Sequence, residues 1–308
     1  MNLSPILIQV YTRKNHFINC VESLSRCKLA DKSHLFIVSD APKTENEKQI
    51  VVDIREYCKN IKGFAKVNVL AFENNLGRLN AFEQAMMRIF SEYNTMIFSE
   101  DDNVFSINFL EFINEGLEFY KNNSKVLSIC GYKHPFQLPQ KYPNDVFVSK
   151  SISGWGFGIW KEKYLAVNFH PKSLDVSMKQ VIQMSYCWQI LMLESISENK
   201  VHGDALMEYH CLKYNMVNIF PVVSLVQNHG NDGSGAHCSV SPKYTTQEIC
   251  TENRKFHFIN DLTILPNIEK KQADAIDFPF TNKIQRLYLK PILKAKLIIK
   301  KVLKIKQI

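Results

Sequence analysis

The sequence predicts an α/β fold, a doubly wound and mainly parallel sheet with helices on both faces, followed by a basic amphipathic helix at the carboxyl end. Three observations carry this. Short apolar runs alternate with stretches of helical periodicity through the first 131 residues, the rhythm of β-α-β units. Three consecutive acids, Glu100, Asp101 and Asp102, follow the fourth apolar run. Nine of the 38 Lys and Arg residues lie between Lys283 and Ile308, where there is no Asp or Glu.

In chain order, Pro5–Tyr11 (PILIQVY) is a first buried strand, ending in Thr12 and Arg13. Asn15 is placed to cap the following helix, whose Phe17, Ile18, Val21 and Leu24 recur at helical spacing. His34–Ser39 is the second strand and ends at Asp40. Glu45–Ile61 is a helix and Lys66–Phe72 a third strand. A turn at Asn74–Gly77 leads into helix Arg78–Glu92. Thr95–Phe105 (TMIFSEDDNVF) then runs from strand into acids, and helix Asn108–Asn122 and strand Val126–Cys130 close the series. Acids at the end of a buried parallel strand lie at the carboxyl edge of the sheet, where open α/β folds bind ligands. Their mutual repulsion is relieved by a cation or by a solvated rim, and oxygen donors of this kind suit Mg²⁺ or Mn²⁺.

From Tyr132 the rhythm changes. Three prolines break up a loop, Val146–Ser149 is a short strand, and Ser153–Trp160 (SGWGFGIW) sets three glycines among aromatics. That stretch reads as a loop, either approached by a ligand or packed on the core. Helices near Val176–Asn199 and His202–Asn215, a strand at Val217–Pro221 and the polar, Gly-rich Val226–Cys238 follow. No GxGxxG follows the first strand and no GxxxxGK[ST] occurs, which argues against a dinucleotide site and a P-loop.

The net charge of +8 belongs to the tail, because the remainder of the chain is close to neutral. This argues against a nucleic-acid groove across the fold. Eight cysteines show no CxxC and no paired zinc spacing, and with no signal peptide evident the expectation is free thiols in a reducing cytoplasm. No apolar run reaches the ~18–20 residues of a membrane-spanning helix.

An Asp after the second strand, an acidic triplet after the fourth, a Gly-Trp loop, and an Asp-bearing helix before a Gly/His loop occur in that order. Residues 5–240 thereby resemble GT-A-fold nucleotide-sugar glycosyltransferases, both bacterial family-2-like sugar transferases and N-acetylglucosaminyltransferases with an EDD metal motif. The pieces that carry the likeness are SEDDNVFSINFLEF (99–112) and SLVQNHGNDGSGAHC (224–238). The resemblance implies that Asp102 ligates Mn²⁺ or Mg²⁺, with His237 (or His229) completing the shell. It implies that Arg13, Asp40, Arg78, Glu100 and Asp101 bind the nucleotide-sugar donor, and that Gly154, Trp155 and Gly156 form an acceptor or sugar loop. Asp204 matches the base of an inverting transfer, with Asp175 as the alternative. Its neighbours His202 and Gly203 depart from the Trp that often precedes that Asp, and Asp204 reads equally as a helix cap. Arg78 reads equally as a solvated helix start.

The domain expectation is a catalytic unit over 1–265 (a donor half, 1–131, and an acceptor half, 132–265), a linker at 266–282 and a tail at 283–308. The tail's Lys residues interleaved with Leu and Ile suit an anionic membrane surface. The implied setting is cytoplasmic and peripheral on the inner face of the cell membrane, with a glycan or lipid-linked glycan acceptor in capsule or lipopolysaccharide synthesis. Two alternatives stand beside it: a non-catalytic scaffold of a polysaccharide-assembly complex, and a sugar-phosphate nucleotidyltransferase. The latter usually carries a Gly-rich loop near the amino terminus, and residues 11–15 contain no Gly.

Overall fold

Burial of short Ile-, Val- and Leu-rich segments on both faces builds the sheet. The computed structural model describes residues 3–234 and 240–276. In order, the elements are β1 (Ile6–Val10), α1 (Lys14–Ser25), β2 (His34–Ser39), α2 (Lys48–Lys59), β3 (Lys66–Ala71), α3 (Arg78–Glu92), β4 (Thr95–Glu100), β5 (Asn103–Phe105), α4 (Phe109–Phe119) and β6 (Val126–Cys130). These are followed by β7 (Val146–Ser149), β8 (Phe157–Trp160), α5 (Lys161–Ala166), α6 (Met178–Val181), α7 (Tyr186–Glu198), α8 (Gly203–Tyr214), β9 (Val217–Pro221), β10 (Val226–Asn228) and α9 (Pro266–Ile276).

Eight strands form one sheet in the order β3-β2-β1-β4-β8-β6-β9-β7. The pairs β3-β2, β2-β1, β1-β4 and β6-β9 are parallel, and only β8 and β7 run against the rest. Alternate residues of β1 serve opposite faces, as a strand's two-residue period requires. Ile6, Ile8 and Val10 join Phe17, Val21 and Leu24 of α1, Ile54 of α2, and Phe109, Phe112 and Ile113 of α4. Leu7 joins Ala81, Ala85 and Ile89 of α3, Tyr164 of α5 and Met207 of α8. The doubly wound expectation is met. A separate small cluster, including Val181, Met184, Met192 and Leu206, holds α6 and α7 on α8.

Three local expectations are revised. The Gly-Trp stretch is a loop only to Gly156, and its remainder, β8, is a fully buried central strand. Gly158 is required there because a Cβ would stand 2.4 Å from Ile113 Cγ2 and 2.9 Å from Leu117 Cδ1. The α1 helix starts one residue before Asn15, with Arg13 at the cap position making no side-chain cap bond. Residues 266–276, expected at the start of a linker, form α9. Its Ile268 is buried against the α3 face of the sheet, and Glu269 Oε1 accepts the Lys150 N–H at 3.0 Å.

A second, two-stranded sheet pairs β5 with β10, antiparallel, matching Asn103 to Asn228 and Phe105 to Val226. This ribbon joins the two sequence stretches that carry the family likeness, and it sets the loop after β10 on the acidic triplet.

Candidate functional site at the carboxyl edge of β4

Residues from five parts of the chain converge where β1 and β4 end side by side, with Gln9 opposite Glu100. The Gln9 amide donates to the Arg78 carbonyl at 2.7 Å, tying the end of β1 to the first turn of α3. The acidic triplet then divides into two environments.

Asp101 and Asp102 face Arg13. One guanidinium nitrogen pairs with Asp101 Oδ1, and Nη1 meets Asp102 Oδ2 at 2.7 Å. Asp102 Oδ1 accepts from Asn228 Nδ2 at 2.7 Å, and its carbonyl accepts the His229 N–H at 2.8 Å. The loop lies so close that a Cβ on Gly230 would stand 1.9 Å from Asp102 Oδ2. Only a residue without a side chain fits there. Burial pushes the Asp101 carboxyl up to about 6, against the pull of Arg13. Asp102 also lines a cavity of about 260 Å³, together with Asn15, His16, His229, Asp232 and Thr245 among others. His16 Nε2 meets Asp232 Oδ2 at 3.1 Å, fastening this loop to α1.

Glu100 has no ion pair with Arg13, and it feels the charges of Asp204 and Arg78 as well as those of its two neighbours. Burial raises its carboxyl, and the charges of Asp102 and Asp204 add to the rise. Asp204, in the first turn of α8, accepts the Gly154 N–H at 3.2 Å. Burial lifts Asp204 to about 6, while the Gly154 N–H and the Arg78 charge oppose the shift. Arg78 itself is exposed. Asp175 is exposed too, and its carbonyl accepts from Tyr209 at 2.9 Å. Of the two candidate bases, Asp204 is the one whose charge acts on Glu100.

The Gly154–Gly156 turn is held by Gly156 N–H donating to the Gly154 carbonyl at 3.0 Å and Gly131 N–H donating to the Gly156 carbonyl at 2.8 Å. Trp155 packs edge-on against Tyr132 and Tyr244, with ring centroids 4.7 and 5.1 Å away. Its indole therefore serves the packing of this loop.

Asp40 departs from expectation. Its Oδ1 accepts the N–H groups of Ala41 and Leu76, each at 2.9 Å, and its Oδ2 accepts that of Gly77 at 2.8 Å. A buried carboxylate with three backbone donors is a structural clamp. It fixes the turn that begins α3, and so the position of Arg78. His237 lies outside the described residues. Asn228 and Gly230 were not foreseen as site residues; the polar QNHGND run around them marked a loop without saying which residues reach Asp102.

Among the described residues, no three His, Cys, Asp or Glu side chains are arranged to hold a metal ion. The donor chemistry nevertheless fits one. Two adjacent aspartates already hold a cationic group, Arg13, and the cavity beside Asp102 offers imidazole, amide and carboxylate donors.

No family model matches the sequence, and no curated protein matches it. Among solved structures the chain is similar to the mannosyltransferase PcManGT from Pyrobaculum calidifontis in complex with GDP-Man and Mn²⁺. There the identity is 10% and the TM-score 0.40, over 58% of this chain and 50% of that one. It is also similar to S. aureus TarS 1–349, at 13% identity and TM-score 0.38 over 58% and 53%. The same TarS fragment with UDP-GlcNAc matches at 12% identity and TM-score 0.38, over 63% and 53%. The chain thus spans about half the length of these structures. At such identities and TM-scores the likeness assigns neither activity nor substrate.

Proposed function

We propose that the chain is an inverting, metal-dependent glycosyltransferase that moves a sugar from a nucleotide-sugar donor to a glycan acceptor. The observation that carries this reading is the pairing of Arg13 with both Asp101 and Asp102 at the end of β4, with the buried Asp204 held by the Gly154 N–H and close enough for its charge to act on Glu100. One edge then offers a base on one side and paired acids with cationic groups on the other.

Asp204 takes the proton of the acceptor hydroxyl as that oxygen attacks the anomeric carbon. Ordinary Asp is ionised well below neutrality. Even lifted to about 6, Asp204 remains a carboxylate at pH 7 and is a stronger base for the lift. The Gly154 N–H holds one oxygen and so orients the group. Arg78, steadied by the Asp40 clamp, supplies positive charge toward the donor diphosphate. Asp102, with Asp101, would hold Mn²⁺ or Mg²⁺, and His229 and Asp232 line the cavity beside it. When bound, such an ion neutralises charge developing on the departing nucleoside diphosphate.

The setting proposed is bacterial surface polysaccharide synthesis, capsule or lipopolysaccharide, at the cytoplasmic face of the cell membrane. No helix among the described residues is long and apolar enough to cross a membrane. The basic tail at 283–308, outside the described residues, is proposed to supply the surface contact. Flotation of the full chain with anionic and with neutral vesicles, against a deletion of 283–308, tests that part. The activity is tested by incubation with a panel of nucleotide sugars, Mn²⁺ and glycan acceptors. Nucleoside diphosphate release coupled to transfer, lost in Asp204→Asn, is the expected result. No release with any donor refutes it.

A further inference from the structure

Asp101 and Asp102 are adjacent, like-charged and 7% and 5% exposed at the side chain, so their ionised forms need a positive partner. The only cationic side chain paired with either, among the described residues, is Arg13, which bridges both. A planar guanidinium reaches two carboxylates at once where an ammonium would reach one. Arg13 itself is 24% exposed at the side chain and stands at the amino end of α1, beside the solvent-facing edge of the sheet. It is thus built into the wall of the site with part of its side chain open to solvent.

We infer that Arg13 is an internal counter-cation for Asp101 and Asp102, that a divalent ion displaces it, and that the released guanidinium then takes the donor diphosphate. The inference rests on the proposed function for the donor, but the exchange itself needs no donor. Arg13 and the ion compete for the same Asp102 oxygen. Nη1 occupies Oδ2, Asn228 occupies Oδ1, and Gly230 closes the remaining approach to Oδ2. Without nucleotide the arginine-engaged form therefore weakens ion binding by the fraction of molecules it holds. A diphosphate draws Arg13 away and removes that penalty, so ion and nucleotide each strengthen the other's binding, as linkage requires.

The test is Mn²⁺ titration of the full chain, followed by electron paramagnetic resonance of the free ion, without nucleotide. Arg13→Gln is expected to bind Mn²⁺ about tenfold or more tightly than wild type. Arg13→Lys, which keeps the charge but cannot bridge both acids, is expected between the two and serves if Arg13→Gln fails to fold. Mn²⁺ should also restore the thermal midpoint that Arg13→Gln loses, a recovery absent when Asp102→Asn is added. Uridine or guanosine diphosphate should tighten Mn²⁺ binding by a larger factor in wild type than in Arg13→Gln, where only the direct attraction between ion and diphosphate remains. Equal Mn²⁺ affinity in wild type, Arg13→Lys and Arg13→Gln overturns the inference. Because the first titration contains no donor, a failed exchange and a failed glycosyltransferase reading give different results.

Discussion

The backbone N–H of Gly154 donates to the carboxylate of Asp204 across fifty residues of chain, at 3.2 Å. A loop between β7 and β8 thereby fixes a side chain on α8. The hydrogen bond favours the ionised form, yet burial outweighs it and lifts Asp204 to about 6. A base with that value gives a rate that falls as pH drops through about 6. The acidic limb of kcat/KM should fall there, and Asp204→Asn should lower kcat by about 10²-fold or more.

The same shift has a stability consequence of opposite sense. A carboxyl whose folded value lies above its unfolded one binds more protons when folded, so stability falls as pH rises between about 4 and 6. Asp204→Asn removes the buried charge. It should melt higher than wild type at pH 7.5, with the gap closing by pH 4, as read by calorimetry across that range. A variant melting lower at pH 7.5 would contradict the assignment of burial as the dominant cause.

Asp40→Ala strips three backbone N–H groups of their acceptor. Leaving buried donors unsatisfied costs about 1–3 kcal/mol each, moderated by water where the turn opens. Urea unfolding should show a loss of about 2–4 kcal/mol. Nucleotide affinity should fall with it, since the turn that places Arg78 is released. Asp40→Asn keeps one carbonyl acceptor and should lose less.

Gly230→Ala and Gly158→Ala separate site from core. The first puts a methyl against Asp102, the second against Ile113 and Leu117. Overpacking of this kind costs about 1–3 kcal/mol. Both should lower the thermal midpoint, whereas only Gly230→Ala should also lose Mn²⁺ and nucleoside diphosphate binding by thermal shift.

Much of the frame was legible because buried parallel strands are apolar on both faces. PILIQVY, HLFIVS and TMIFS announce themselves by composition, and each is a strand in the sheet. FGIW does not, since four residues with a glycine look like a loop until Ile113 and Leu117 are seen to forbid a side chain at 158. Asp204 enters the site only as what the family resemblance implies, since in the linear pattern it reads equally as a helix cap. The Arg13 bridge was not foreseen, because nothing in a linear pattern tells that a residue at the start of a helix turns its guanidinium onto two aspartates 88 positions away and beyond. Asp40 shows the converse case. An acid at a strand end looks like a ligand, and only its three N–H partners show that it is already committed.

The antiparallel course of β8 also divides the labour of the chain. Since β6 leaves the sheet at the edge where β8 enters it, the N–H of Gly131 reaches the carbonyl of Gly156, and residues 132–155 form an excursion whose ends are already joined. It is pinned midway by β7 on β9. Such a segment is a cassette. Changes of length in its exposed part, between Gln137 and Asn144, leave that closure and β7 untouched, so β4 and its acids stay where they are.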